Sequence, residues 1–243
     1  MMFTLKLNKY DSLGGLFIIF LFILLALSLG ITYSDVIRIN LPLELLFTDI
    51  LISFLRVSVI ALIAWILGII GGYFLYHYQI LDKLFLPSIN FIRHISPFAW
   101  LPFAIIWFGL GEVPIIFIMF ITLFFPTLIA ASDSFSNIPK EYLDEAQVSG
   151  ATQFQLFFHI QLPITLSSLM SLFRIIWGLG WTVIIAAEML GVNSGLGFRL
   201  LDFRYLLKYP EMLMYLIIMG FFGILVDYFL REIIKSYTTK SHN

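Results

Sequence analysis

Few side chains in this chain of 243 residues could do chemistry, and they fall in three places. The first is a polar island, Pro139-Lys140-Glu141-Tyr142-Leu143-Asp144-Glu145-Ala146-Gln147-Val148-Ser149-Gly150, running on to Ile160-Gln161-Leu162-Pro163. The second is Arg174, followed by Trp177, Gly178, Gly180 and Trp181 in a long apolar run. The third is Glu188, with no second carboxylate or nucleophile beside it in sequence. Catalysis by an activated nucleophile needs a base in reach, and a metal site needs clustered ligands. The chain has no cysteine and no His-Glu-x-x-His, and no Gly-x-x-x-x-Gly-Lys-Ser/Thr for a nucleotide. What remains is binding chemistry. Carboxylates on an exposed helix offer a handle to a soluble partner, and an arginine at depth can meet an anion or a counter-charge.

The elements that must position these residues are spans. The chain is 60% hydrophobic and 12% charged, where soluble domains carry about 25% charged residues. Lipid is therefore the solvent for most of it. The net charge of −1 lacks the basic face that nucleic acid requires. A spanning helix needs roughly 20 mostly apolar residues. Six segments qualify: Leu16–Thr32, Val57–Tyr76, Phe98–Leu110 extended by Phe91–Pro97, Val113–Ser132, Ile164–Leu190 and Met212–Leu230. The expected fold class is an all-α integral membrane protein with six transmembrane helices. Residues 1–50 read as an N-terminal segment, first span and outer loop, and residues 51–243 as the transmembrane domain.

Orientation follows from the Lys and Arg residues in the flanks. With the N-terminus inside, Lys6, Lys9, Lys83, Arg93, Lys140, Arg231, Lys235 and Lys240 are inner; Arg38, Arg56, Arg199, Arg204 and Lys208 are outer. This bias favours both termini inside and puts residues 133–163 in the cytoplasm. Lys6 and Lys9 before an apolar core, with Ala26-Leu27-Ser28 after it, resemble a signal peptide. The apolar run continues past Ser28, so a retained first span is expected.

Within the loop, Pro139 suits a first helical turn, and Glu141 favours the positive end of the helix dipole. Gly150 can end that helix in a left-handed conformation. Thr152 can cap a second short helix, Gln153–His159, and Pro163 opens the next span. A loop of about 30 residues between spans is uncommon without a role.

The spacing acidic-x-Ala-x-x-x-Gly, then Ile-x-Leu-Pro, resembles the EAA loop of binding-protein-dependent ABC importer permeases. More narrowly, the chain is similar to the aliphatic-sulfonate, taurine and nitrate permeases. In that family the loop reads Glu-Ala-Ala-x-x-x-Gly-x(9)-Ile-x-Leu-Pro, and Asp144, Glu145, Ala146, Gly150, Ile160, Leu162 and Pro163 stand at those positions. Pro97–Gly111, Phe124-Phe125-Pro126, Ala187–Gly191 and Ser194–Gly197 carry the likeness further, over about residues 50 to 235. Asp144 replaces the usual Glu and Glu145 the first Ala. The resemblance implies a type I importer permease (MetI-like) architecture with cytoplasmic coupling helices, in a bacterial plasma membrane. Glu141 joins the seven loop residues above as expected ATPase-docking positions. The implied partners are separate ATP-binding subunits, which hold ATP and Mg, a second permease copy, an external substrate-binding protein and membrane lipid. The permease itself implies no cofactor and no catalysis. The substrate implied is a small anion or small organic solute such as sulfonate, taurine or nitrate.

Arg174, Trp177, Trp181 and Glu188 are the candidates for the translocation pathway. Burying Arg174 in a span costs about 2.5 kcal/mol or more, so it must find water, protein or a partner charge. Pairing within the bundle or snorkelling is the favoured reading over a pathway role. Trp177 and Trp181 share one helix face and suit interior packing equally. Gly178 and Gly180 suit close helix approach, and Asp227, near the inner end of the last span, should reach water or Arg231, four residues on. Residues Gly191–Glu211 form an outer loop whose Arg199, Asp202, Arg204 and Lys208 could meet the binding protein. The competing readings are an ion-coupled secondary transporter, which should show internal repeats, and an intramembrane enzyme. His77, His94 and His159 fall in cytoplasmic-side segments and His242 in the tail, so a Ser–His dyad inside the membrane is missing.

Overall fold

The computed structural model describes residues 21–28, 30–31 and 42–241. Residues 21–28 are helical; the rest of the expected first span, and Lys6, Lys9 and Arg38 of the charge count, lie outside the described residues. The helices that follow are α1 (Leu43–His77), α2 (Gln79–His94), α3 (Leu101–Phe108) and α4 (Glu112–Ser136). After them come α5 (Lys140–Val148), α6 (Gln153–Leu156), α7 (Leu162–Gly191), α8 (Leu196–Tyr205) and α9 (Tyr209–Ser241). Every described element is helical, as expected in a solvent that offers the backbone no hydrogen bonds. Among the described residues, 4 helices are long and apolar enough to cross a membrane, or 5 if one bent pair counts as a span.

That bent pair corrects the third expected span. The segment from Phe91 to Leu110 is not one helix: α2 stops at His94, and Ile80–His94 meets Pro97–Phe108 at 93°. Pro97 disfavours helical geometry at Ser96, so α2 stops short of it and the chain restarts in a 3-10 turn, Pro97–Trp100, that runs into α3. The second span is also longer than expected. It begins at Leu43 rather than near Val57, because Asp49 and Arg56 find partners inside the fold while Glu44 is exposed in the first turn.

α1 and α4 form the tightest pair. A side chain at Gly68 would put its first carbon 2.6 Å from Thr127 Cγ2, and one at Gly72 would lie 2.6 Å from the Leu128 carbonyl. Only hydrogen fits there, and the two backbones close to a distance that polar and small residues permit in lipid. α7 and α9 complete the bundle around Val57, Ala61, Met119, Trp177, Ile184 and Tyr215. Gly180 serves close approach, with Val57 and Leu123 each 3.2 Å from where a side chain would begin; Gly178 faces open space instead.

Candidate functional site

The bundle has two ends of different chemistry. At one end α4 finishes at Ser136, and α5 follows after Pro139. Glu141 sits in the first turn of α5. The helix closes on Gly150 at φ +81°, with Gly150 N–H donating to the Gln147 carbonyl at 2.9 Å and Ala151 N–H to the Ala146 carbonyl at 3.0 Å. That bond pair is the left-handed glycine cap expected from the sequence. Thr152 then starts α6 with a capping box: its hydroxyl receives the Gln155 N–H and the Gln155 side chain receives the Thr152 N–H.

The expected separate second helix, Gln153–His159, is corrected. α6 runs through one π-helical turn, Phe157–Gln161, into α7 without a break. Pro163 has no N–H to return to the His159 carbonyl and its ring crowds that oxygen, and a wider turn just before it relieves both. The loop rests on an apolar platform. Phe135 and Ile138 are buried, and Leu143, Phe157 and Leu162 pack against their cluster. The Phe157 ring lies 4.5 Å from that of Tyr73 on α1. Of these anchors, Leu162 was expected as a docking residue and not as packing, and Tyr73, Phe135 and Ile138 were not singled out; the signal was apolar residues inside or beside a polar loop.

The expected docking residues divide on this platform. Glu141, Asp144 and Glu145 are exposed, and among the described residues no ion pair holds them. Glu145, Ala146 and Ile160 line one cleft of about 410 Å³ with Tyr142, Ser149, His159 and Ile164. Gly150 is exposed at the elbow, Leu162 is half-buried against the platform, and Pro163 is exposed in the first turn of α7.

At the opposite end the carboxylates are inside. Glu188 is 0% exposed. It accepts from Ser53 Oγ at 2.9 Å, from Arg56 Nη1 at 2.7 Å and from Gly197 N–H at 2.9 Å. Arg56 also pairs with Glu112 at the start of α4 and donates to Ser194. Gly195 at φ +101° lies against the Glu188 carboxylate, where any side chain would collide. A second cluster holds α8: Asp49 accepts from Arg199 Nε at 3.0 Å and from Tyr215 OH at 3.3 Å. The Asp49 bond raises the Arg199 guanidinium above its ordinary range. Arg199 is thus turned inward, not toward an external partner, while Arg204 is exposed. Ser53, Arg56 and Asp49 were missed as partners because they lie far from Glu188 and Arg199 in sequence.

Of the four pathway candidates, Glu188 belongs to the buried clamp. Trp177 and Trp181 stack at 5.5 Å inside the core, and their indole N–H groups donate to Ser58 Oγ and the Met219 carbonyl. Arg174 alone reaches a half-open face. Its partner is Asp227 on α9, at 2.6 and 2.7 Å, a contact between helices added to the water or Arg231 expected for Asp227 from the sequence.

Residues 64–237 match the family described as binding-protein-dependent transport system inner membrane component. The chain belongs to that permease family. A Methanocaldococcus jannaschii protein assigned as an ABC transporter permease is 34% identical over 172 residues, 70% of this chain and 63% of its own length. The nitrate import permease protein NrtB of Leptolyngbya laminosa is 33% identical over 186 residues, 75% of this chain and 65% of its own. The chain thus spans a little under two thirds of each of these relatives. The inward-facing MetNI methionine ABC transporter superposes with a TM-score of 0.71, at 18% identity, covering 82% of this chain and 99% of that one. This permease therefore has the MetI-like fold, and its family comprises non-catalytic membrane subunits of ABC importers. The resemblance read over about residues 50 to 235 and the family match over 64–237 overlap from residue 64 to about 235.

Proposed function

We propose that this permease builds the translocation pathway of an ATP-driven importer and couples it to a separate ATPase through residues 133–163. The observation that carries the reading is the α5–Gly150 elbow. Among the described residues, three carboxylates without an ion pair project from a helix that meets the platform through Leu143, in a cluster where Tyr73, Phe135 and Phe157 also pack. A push on such a helix is transmitted to α1, α4 and α7 together, because a packed interior does not deform continuously. Glu141, Asp144, Glu145, Ala146, Gly150, Ile160, Leu162 and Pro163 form the docking surface and its hinge. The shorter arm of Asp144 and the added charge of Glu145 tune the partner rather than the bend.

On this reading residues 51–243 form the permease domain, the loop end faces the cytoplasm and both termini lie inside a bacterial plasma membrane. A second identical copy completes the pathway, and an external binding protein delivers substrate to the α8 end. ATP and Mg belong to the ATPase. The substrate is a small anion or small organic solute; the nitrate import permease among the relatives and an arginine at depth favour the anion.

The test is affinity purification of the tagged chain from native membranes, wild type against Gly150→Arg. Gly150 has open space around it, so arginine does not clash; it strains the φ +81° elbow and blocks the surface. An ATPase should accompany the wild type and be lost from a mutant that still inserts. No ATPase with either form, at adequate yield in mild detergent, returns the ion-coupled carrier to first place.

A further inference from the structure

We infer that Arg174 is a binding site for a small oxyanion crossing the membrane, with Asp227 occupying it when no oxyanion is present. This rests on the permease reading above and adds the residue that meets the substrate. Arg174 Nε and Nη2 donate to Asp227 Oδ1 and Oδ2 at 2.6 and 2.7 Å, two parallel bonds from a planar fork to a planar pair of oxygens. Nitrate, bicarbonate or a sulfonate presents the same pair of oxygens. The carboxylate therefore stands where such an anion would.

Arg174 lies at depth on α7, and Asp227 reaches it from near the inner end of the last span. Arg174 is well inside α7, roughly 18 Å from the Leu162 end and 25 Å from the Gly191 end at the rise of an α-helix. Yet the two side chains are 36% and 47% exposed, whereas Glu188 is fully enclosed. Charges so exposed at such depth cannot face hydrocarbon. They face water or another protein surface.

The surroundings favour water. The exposed positions of α7 include Ser167, Ser168, Ser171 and Thr182, with Gly178 open between them beside Ile175 and Leu179. The exposed face of α1 carries Leu55, Val59, Leu62, Ile66 and Ile70, and that of α9 carries Phe221, Ile224, Leu225 and Phe229. Two faces suit lipid and one suits a wet passage. The neutral Arg174–Asp227 pair holds no net charge for an anion until Asp227 leaves. Arg231, four residues on along α9, is placed to receive it.

The chain has no cysteine, so a single engineered thiol reports alone. Ser171→Cys, with Leu225→Cys as the lipid-face control, is expressed with its partner subunits in sealed membrane vesicles of both orientations. Each is reacted with the anionic sulfonatoethyl and the cationic trimethylammonioethyl methanethiosulfonates. Because the thiolate is the nucleophile, a thiol in water should react about 100-fold faster than one in lipid. Adding Asp227→Asn frees Arg174 and should shift the anionic-to-cationic rate ratio upward about tenfold. Arg174→Gln should reverse that shift. Nitrate in place of chloride at equal ionic strength should slow labelling of Ser171→Cys by the anionic reagent several-fold, a readout that leaves the pair intact should the pair variants fail to fold. An unreactive Ser171→Cys would mean that a second protein surface covers this face, and would overturn the site. A reactive thiol with neither the anion shift nor nitrate protection would overturn the oxyanion. Either failure with the ATPase still co-purifying leaves the permease reading standing; loss of the ATPase overturns that reading separately.

Discussion

The two ends of this permease spend their carboxylates in opposite ways. At the α5 end Glu141, Asp144 and Glu145 are exposed and hold no ion pair among the described residues, while Leu143 between them and Phe157 and Leu162 further on fasten the loop. At the α8 end Glu188 and Asp49 are buried, and Ser53, Arg56, Gly197, Arg199 and Tyr215 satisfy them. A buried charge without partners is costly, so these groups hold the fold together only as complete sets. An exposed charge contributes little to stability and is free to meet something else. The same residue type is therefore scaffold at one end and contact surface at the other.

The strongest way to break this contrast is Glu188→Ala. It removes the acceptor shared by Ser53, Arg56 and Gly197 and leaves part of Arg56 buried with only Glu112 and Ser194. We expect a loss of about 3–5 kcal/mol, read as a lowered Tm in mild detergent; an unchanged Tm would show that the clamp is not structural. The helix ends provide a smaller test. α5 and α8 close with the same bond pair, but α5 uses Gly150 at φ +81° and α8 uses Leu207 at φ 56°. A leucine in that region is strained, so Leu207→Gly should raise stability by about 1 kcal/mol, visible as a Tm increase, whereas a decrease would mean that the Leu207 side chain supports the turn. The smallest expected effect is at the docking helix. Glu141→Gln and Glu145→Gln together should change stability by no more than about 0.5 kcal/mol while weakening ATPase co-purification. A large fall in Tm would place these carboxylates with the scaffold and erase the difference between the ends.

Much of the loop could be read directly. Gly150, Thr152 and Pro163 act through local geometry, and left-handed glycine caps, capping boxes and prolines are encoded within a few residues. The elbow follows from them. The continuity of α6 into α7 did not, because a π turn is a compromise between Pro163 and the packing of Phe157 against Tyr73. The third span failed for a related reason: hydropathy counts apolar residues and carries no sign of the 93° bend between Ile80–His94 and Pro97–Phe108.

The charge partners divide the same way. From sequence, Asp227 had one helical neighbour of opposite sign, Arg231, and Arg174 had none. The fold brings α7 and α9 together and pairs Arg174 with Asp227, 53 residues apart. It also joins Ser53 to Glu188, 135 residues apart. The sequence by itself determined an apolar, all-helical chain, the acidic helix, its glycine elbow and the family, since each depends on composition or on neighbours a few residues away. The tertiary structure decided which charges are buried, which tryptophans are core and which face of α7 is open. Those outcomes depend on how close distant helices come, and that distance is set by packing at positions such as Gly68 and Gly72 rather than by the charged residues themselves.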